Sequence, residues 1–177
     1  RAIAHVCACL AAQGAQVCLL DVSDNSLRGT AAETLCEALA SFTSLEKLIL
    51  SQNLLSARAI RCLATSLSAG QHSASTLREL ELCHVGIGNL PGEAIRAIAD
   101  MVSKSPHLRI LDLSRNALRN MHAQIIAAAL VASYSSSPVP SSQVPNDSRR
   151  RRRCGRLNFL RLCRNKIGHY GISALGK

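Results

Sequence analysis

The sequence predicts an α/β fold in which short parallel strands and helices alternate along a curved solenoid, with the sheet inside and the helices outside. Three observations carry this. Five segments follow one pattern, L-x-x-L-x-L-x-x-N-x-L: VCLLDVSDNSL from Val17, LEKLILSQNLL from Leu45, LRELELCHVGI from Leu77, LRILDLSRNAL from Leu108 and LNFLRLCRNKI from Leu157. Between these segments, apolar residues recur four apart, the spacing of one helix face. The 177-residue chain is 47% hydrophobic but only 2% aromatic, with no Trp, so its core is filled by Leu, Ile, Val and Ala. That composition excludes a wholly disordered, collagenous or coiled-coil chain, and an aromatic stacking platform for nucleic acid.

Each element can be justified in order. Residues 1–16 read as the helix of a preceding unit, although RAIAHVCACLAAQGAQ also has the outline of a secretory signal. The first motif is followed by Leu35 and Leu39, predicting a helix over Ala31–Leu39. Leu63 and Leu67 predict one over Ala57–Leu67, with the extra residues AGQHSAS after it. In the third unit the pair arrives late, as Ile98 and Val102, so GNLPGE lies before a helix over Glu93–Val102. Ile126 and Leu130 predict a helix over His122–Ala132, and Leu175 holds the place of Leu35, Leu63 and Ile126 in the last unit, ten residues after its motif Asn. Unit starts are 28, 32, 31 and 49 residues apart, and each excess over 28 falls in a loop. Parallel strands sit about 4.8 Å apart whereas helices need about 10 Å, so the helix side splays and the array curves.

Five copies of this motif over nearly the whole chain resemble the leucine-rich repeat family, and a 28-residue period with a full helix per unit is similar to its ribonuclease-inhibitor-like subclass. The motif residues Asn25, Asn53, Asn116 and Asn165 are expected to satisfy backbone groups where the chain leaves each strand. His84-Val85 replaces the Asn in the third unit, so an irregularity is expected there. Neither end carries a polar cap, and the chain reads as one domain cut from a longer array.

Residues between the buried Leu positions point to the opposite face of the sheet. Four columns follow: Leu19, Lys47, Glu79, Ile110, Phe159; then Asp21, Ile49, Glu81, Asp112, Arg161; then Ser23, Ser51, Cys83, Ser114, Cys163; then Asp24, Gln52, His84, Arg115, Arg164. From these the candidate partner-binding residues are Asp21, Asp24, Lys47, Gln52, Glu79, Glu81, His84, Asp112, Arg115, Phe159, Arg161 and Arg164. A mixed, graded surface of this kind suits a protein partner on the concave face better than a phosphate backbone.

Charge is unevenly placed. Residues 1–148 carry 11 basic and 11 acidic side chains, whereas residues 149–177 carry 10 basic and none acidic. Much of that excess is the run Arg149, Arg150, Arg151, Arg152 and Arg153, within an insertion at 133–156 whose Ser and Pro content predicts disorder. The run suits a polyanion or an import receptor. Asn146-Asp147-Ser148 is formally a glycosylation sequon.

The 8 cysteines form no C-x-x-C pair, and most occupy apolar or helical positions, which favours free thiols in a reducing compartment, cytoplasmic or nuclear. No apolar run approaches the roughly 18 residues of a membrane span. His5-Val6-Cys7-Ala8-Cys9 and Cys83-His84 are the local metal-ligand clusters, and neither has workable spacing, so no metal, cofactor or small-molecule substrate is expected. Cys83 beside His84 also lacks an orienting third group for nucleophilic catalysis. The reading is therefore a non-catalytic protein-interaction scaffold or sensor. The alternative is a GTPase-activating regulator, since activators of the Ran GTPase resemble this subclass, with Arg115 as the candidate arginine supplied in trans. Ribonuclease inhibition fits poorly, because a basic enzyme calls for a strongly acidic surface.

Overall fold

The computed structural model describes Ala2, His5, Val6, Cys9, Leu10 and residues 16–68, 76–105, 107–135 and 157–176. Five strands, β1 (Leu19–Asp21), β2 (Lys47–Ile49), β3 (Glu79–Glu81), β4 (Ile110–Asp112) and β5 (Phe159–Arg161), form one sheet in chain order. Every neighbouring pair is parallel and in residue-for-residue register, so Leu19, Lys47, Glu79, Ile110 and Phe159 share one row and Asp21, Ile49, Glu81, Asp112 and Arg161 the next. These are the two columns expected from the motif. Parallel neighbours need a crossover. Each is supplied by a helix: α1 (Gly29–Ala38), α2 (Ala57–Ser68), α3 (Gly92–Lys104) and α4 (Asn120–Ser135), with α5 (His169–Leu175) after the last strand.

The helices lie where the apolar pairs placed them, but their bounds differ for local reasons. The first begins at Gly29 rather than Ala31 and passes into a 3-10 turn over Leu39–Ser41, so Leu39 lies past its end. Pro91 caps the third, which runs to Lys104, with Glu93 in its first turn and Lys104 in its last, each charge favourable to the helix dipole. The fourth continues through Ser135, so the first three residues assigned to the disordered insertion are helical. The remainder of that insertion, 136–156, lies outside the described residues, as do Asn146 and the five arginines from Arg149. Ala2, His5, Val6, Cys9 and Leu10 are helical, in keeping with a helix ahead of β1.

Packing follows the repeat. Leu48, Leu80 and Leu111 are 0% exposed, as are Leu50, Leu82 and Leu113 two residues on. They meet Leu35, Leu63, Ile98 and Ile126 from the helices in one continuous core. Consecutive helices pack against one another, so every unit is covered by its neighbours. The outermost motif residues Leu20, Leu160 and Leu162 are only partly buried, having a neighbour on one side.

Asn53, Asn116 and Asn165 each hold the unit before their own, whereas Asn25 donates to the Ser23 carbonyl of its own unit at 2.8 Å. Asn53 Oδ1 accepts from the Asn25 and Leu27 amides at 3.2 and 2.9 Å, while its Nδ2 donates to the Val22 and Leu50 carbonyls at 3.0 Å. Asn165 repeats this on Asn116 and Leu118. Asn116 reaches back to Val85, Gly86 and Ile87, the loop of the unit that lacks its own Asn. Val85 has no side-chain amide with which to serve the second unit. The expected irregularity is a 3-10 turn at Ile87–Asn89, whereas the left-handed Gly86 before it, φ 81°, has left-handed counterparts in Ser26 and Ala117.

His122 in the first turn of α4 is buried, and its Nδ1 accepts from the Arg119 amide at 3.0 Å. Burial, followed by the Arg119 charge, holds its pKa below the ordinary 6.5. The unfolded chain therefore binds this proton more readily than the folded one. The group's contribution is fully present above 6.5 and is lost as pH falls through 6.5 and the lowered folded value. Thermal melts between about pH 7 and 5 should show a fall in Tm that His122→Asn reduces. An identical pH profile in the variant contradicts this role.

Candidate partner-binding face

The strands present their charged rows on the side opposite the core. Lys47 lies between two carboxylates of the next strand, its Nζ 2.9 Å from Glu81 Oε1 and 3.2 Å from Glu79 Oε1. The Glu81 hydrogen bond raises the Lys47 pKa, against a smaller lowering by burial, and the Glu79 hydrogen bond adds to the rise. Asp112 pairs with Arg161 on the following strand at 3.8 Å. Asp21 accepts from the Ser23 hydroxyl at 2.6 Å and the Ser23 amide at 2.9 Å, and these bonds hold its carboxyl below the usual range. Leu19 and Phe159, at the two ends of the first row, are 56% and 60% exposed.

The fourth column is built differently from the strand continuation expected of it. Asp24, Gln52, His84, Arg115 and Arg164 all have left-handed backbone, with φ from 53° to 58°. None is glycine, and such a conformation costs an L-residue roughly 1–2 kcal/mol. It is held because the ladder continues into the turn. The amides of Asp24, Gln52, His84 and Arg115 donate to the carbonyls of Ser51, Cys83, Ser114 and Cys163 in the next unit, at 2.8 to 3.0 Å. The turn swings this column onto the rim of the same face.

Between the rows lies an open depression of about 420 Å³ lined by Asp21, Ser23, Ile49, Ser51, Gln52, Glu81, Cys83, His84, Asp112 and Arg115. Six of the candidate residues thus line one hollow. Ser23, Ile49, Ser51 and Cys83 are additions, foreshadowed by their columns but not by their chemistry. Asp24, Lys47, Glu79, Phe159, Arg161 and Arg164 lie outside the hollow. Because the backbone turns at His84, Cys83 and His84 both line the depression although they are sequence neighbours. Burial and then the Asp112 charge raise the Cys83 pKa, which favours the thiol over the nucleophilic thiolate. Cys163 is exposed, with its Sγ 2.9 Å from Ser114 Oγ.

The cysteines among the described residues are free: Cys9, Cys18, Cys36, Cys62, Cys83 and Cys163. Cys36 is the most buried, and burial followed by nearby Cys62 pushes its pKa up to about 12. Ahead of β1 it is His5 and Cys9, four residues apart, that meet, at 3.7 Å. Among the described residues no group of three or more His, Cys, Asp or Glu side chains is placed to hold a metal ion, and no helix is long and apolar enough to cross a membrane.

No family model matches the chain, and no curated protein matches it. Among solved structures it is similar to the tropomodulin C-terminal domain of Caenorhabditis elegans, at 11% identity and a TM-score of 0.44, over 75% of this chain and 93% of that one.

Proposed function

We propose that this chain is a curved leucine-rich repeat array of the ribonuclease-inhibitor-like subclass, working in the cytoplasm or nucleus as a non-catalytic module that binds a protein on its strand face. The observation that carries the reading is the in-register sheet, which gathers side chains from all five units into one continuous surface. That surface combines charged rows with apolar residues at both ends, the mixture that protein interfaces use. Its one thiol beside a histidine is shifted toward the protonated form, which supports binding over covalent chemistry.

A photo-crosslinking amino acid in place of Phe159 tests this against the same group in place of Thr65, an exposed position on α2. In cells the Phe159 position should give a discrete protein adduct that Glu79→Lys with Asp112→Lys removes, and the Thr65 position should not. Equal adducts from both faces, or none from Phe159, overturns the reading.

A further inference from the structure

The 420 Å³ depression in the strand face has an apolar floor between charged walls. The half-buried side chain of Ile49 lies in one row with Asp21 on one neighbouring strand and Glu81 on the other, and Asp112 stands beside Glu81 in the next step of the register. Like charges set side by side on one face repel. The cations within the chain offset these three carboxylates only in part. Lys47 is divided between Glu79 and Glu81, and Arg161 approaches Asp112 no closer than 3.8 Å. Asp21 pairs with no cation among the described residues; both of its hydrogen bonds, from the Ser23 amide and hydroxyl, fall on Oδ1.

The lining selects the cation that it suits. Among the described residues these carboxylates are not placed to hold a metal ion, and an inorganic cation gains nothing from the Ile49 side chain. A cation on an alkyl stem uses both features, with the stem over Ile49 and the charge against the carboxylates. Asp21 and Glu81 lie two strand spacings apart, about 9.6 Å between backbones. A planar guanidinium can donate to both walls at once, whereas a lysine ammonium is a compact and more strongly hydrated point charge. Arg115 lines the same hollow and repels a second cation, so the hollow suits one basic side chain and not a basic run.

We infer that this hollow holds a single arginine side chain presented by a protein partner, its stem on Ile49 and its guanidinium between Asp21 and Glu81; the inference rests on the binding role proposed above.

Amide chemical shifts of the full chain, followed during titration with N-acetyl-arginine methylamide, test this against the lysine and citrulline analogues. The arginine probe should give saturable shifts at Ile49, Ser51 and Gln52 with a dissociation constant on the order of several millimolar. The lysine analogue should bind roughly threefold more weakly or worse, and the neutral citrulline analogue should give no such shifts. Asp21→Asn with Glu81→Gln should remove the arginine response. Ile49→Arg, which supplies the guanidinium from the floor itself, should block it, and it provides an independent check should the double variant fold poorly. Equal responses to the three probes, shifts that persist in both variants, or no shifts at about 50 mM arginine probe overturn the inference. Shifts that appear only after Arg149 to Arg153 are replaced by serine make the chain's own arginine run the occupant, and shifts that follow protein concentration alone make it a second copy; either result overturns the assignment to a partner. In cells the Phe159 adduct should be lost in the Asp21→Asn, Glu81→Gln protein. If it persists there, the strand face is a binding surface whose partner does not use the hollow, and this inference alone falls. If the wild-type protein gives no adduct, the reading on which it rests falls as well.

Discussion

Replacing Asn116 by alanine is expected to lower the unfolding free energy by about 3–4 kcal/mol, against about 1 kcal/mol for Ser114→Ala on the same strand exit. The side chain of Asn116 is 0% exposed. Its Oδ1 accepts from the Val85, Gly86 and Ile87 amides at 3.0, 2.9 and 3.3 Å, and its Nδ2 donates to the Leu82 and Ser114 carbonyls at 2.6 and 3.1 Å. Alanine leaves these backbone groups buried without that partner. Ser114 is also buried, but its hydroxyl engages one thiol. Denaturant unfolding with unchanged slopes measures the difference. Equal midpoints for the two variants contradict the assigned role.

Gly88→Ala should cost about 3 kcal/mol, and Gly92→Ala close to nothing. A Cβ at position 88 falls against the Ala117 carbonyl and within 2.6 Å of the Asn116 carbonyl oxygen, the atom that also accepts from the Gly88 amide at 2.8 Å. These neighbours are backbone, so relief requires moving the turn between the third and fourth units. A Cβ at position 92 finds only the Arg96 guanidinium, 3.8 Å away. Comparing the two variants separates steric crowding from the general effect of adding a methyl group. A Gly88→Ala protein with wild-type stability shows that the third and fourth loops do not approach this closely.

Both substitutions act where one unit touches the next, and there the sequence was least explicit. Leu48, Leu80 and Leu111 could be assigned to the core, and Lys47, Glu79 and Ile110 to the opposite face, because side chains alternate along a strand. The helices around Leu63 and Ile98 were legible for the same kind of reason, apolar residues four apart. Their ends were not. Gly29, Gly92 and Ser135 became termini that apolar residues four apart do not encode.

The number of units, the strand-and-helix order, the row of each exposed residue and the places where a unit exceeds 28 residues were legible in the motif and its spacing. These follow from local geometry repeated along the chain. Only the tertiary structure decided that Asp24, Gln52, His84, Arg115 and Arg164 turn left-handed onto the rim, that Asn116 serves the loop before its own, and that one Lys47 joins two glutamates. Except at Arg164, each of these goes with a hydrogen bond or ion pair to a neighbouring unit. The balance between backbone strain and that bond is set by how closely the units stack, which no residue pattern within a single unit specifies.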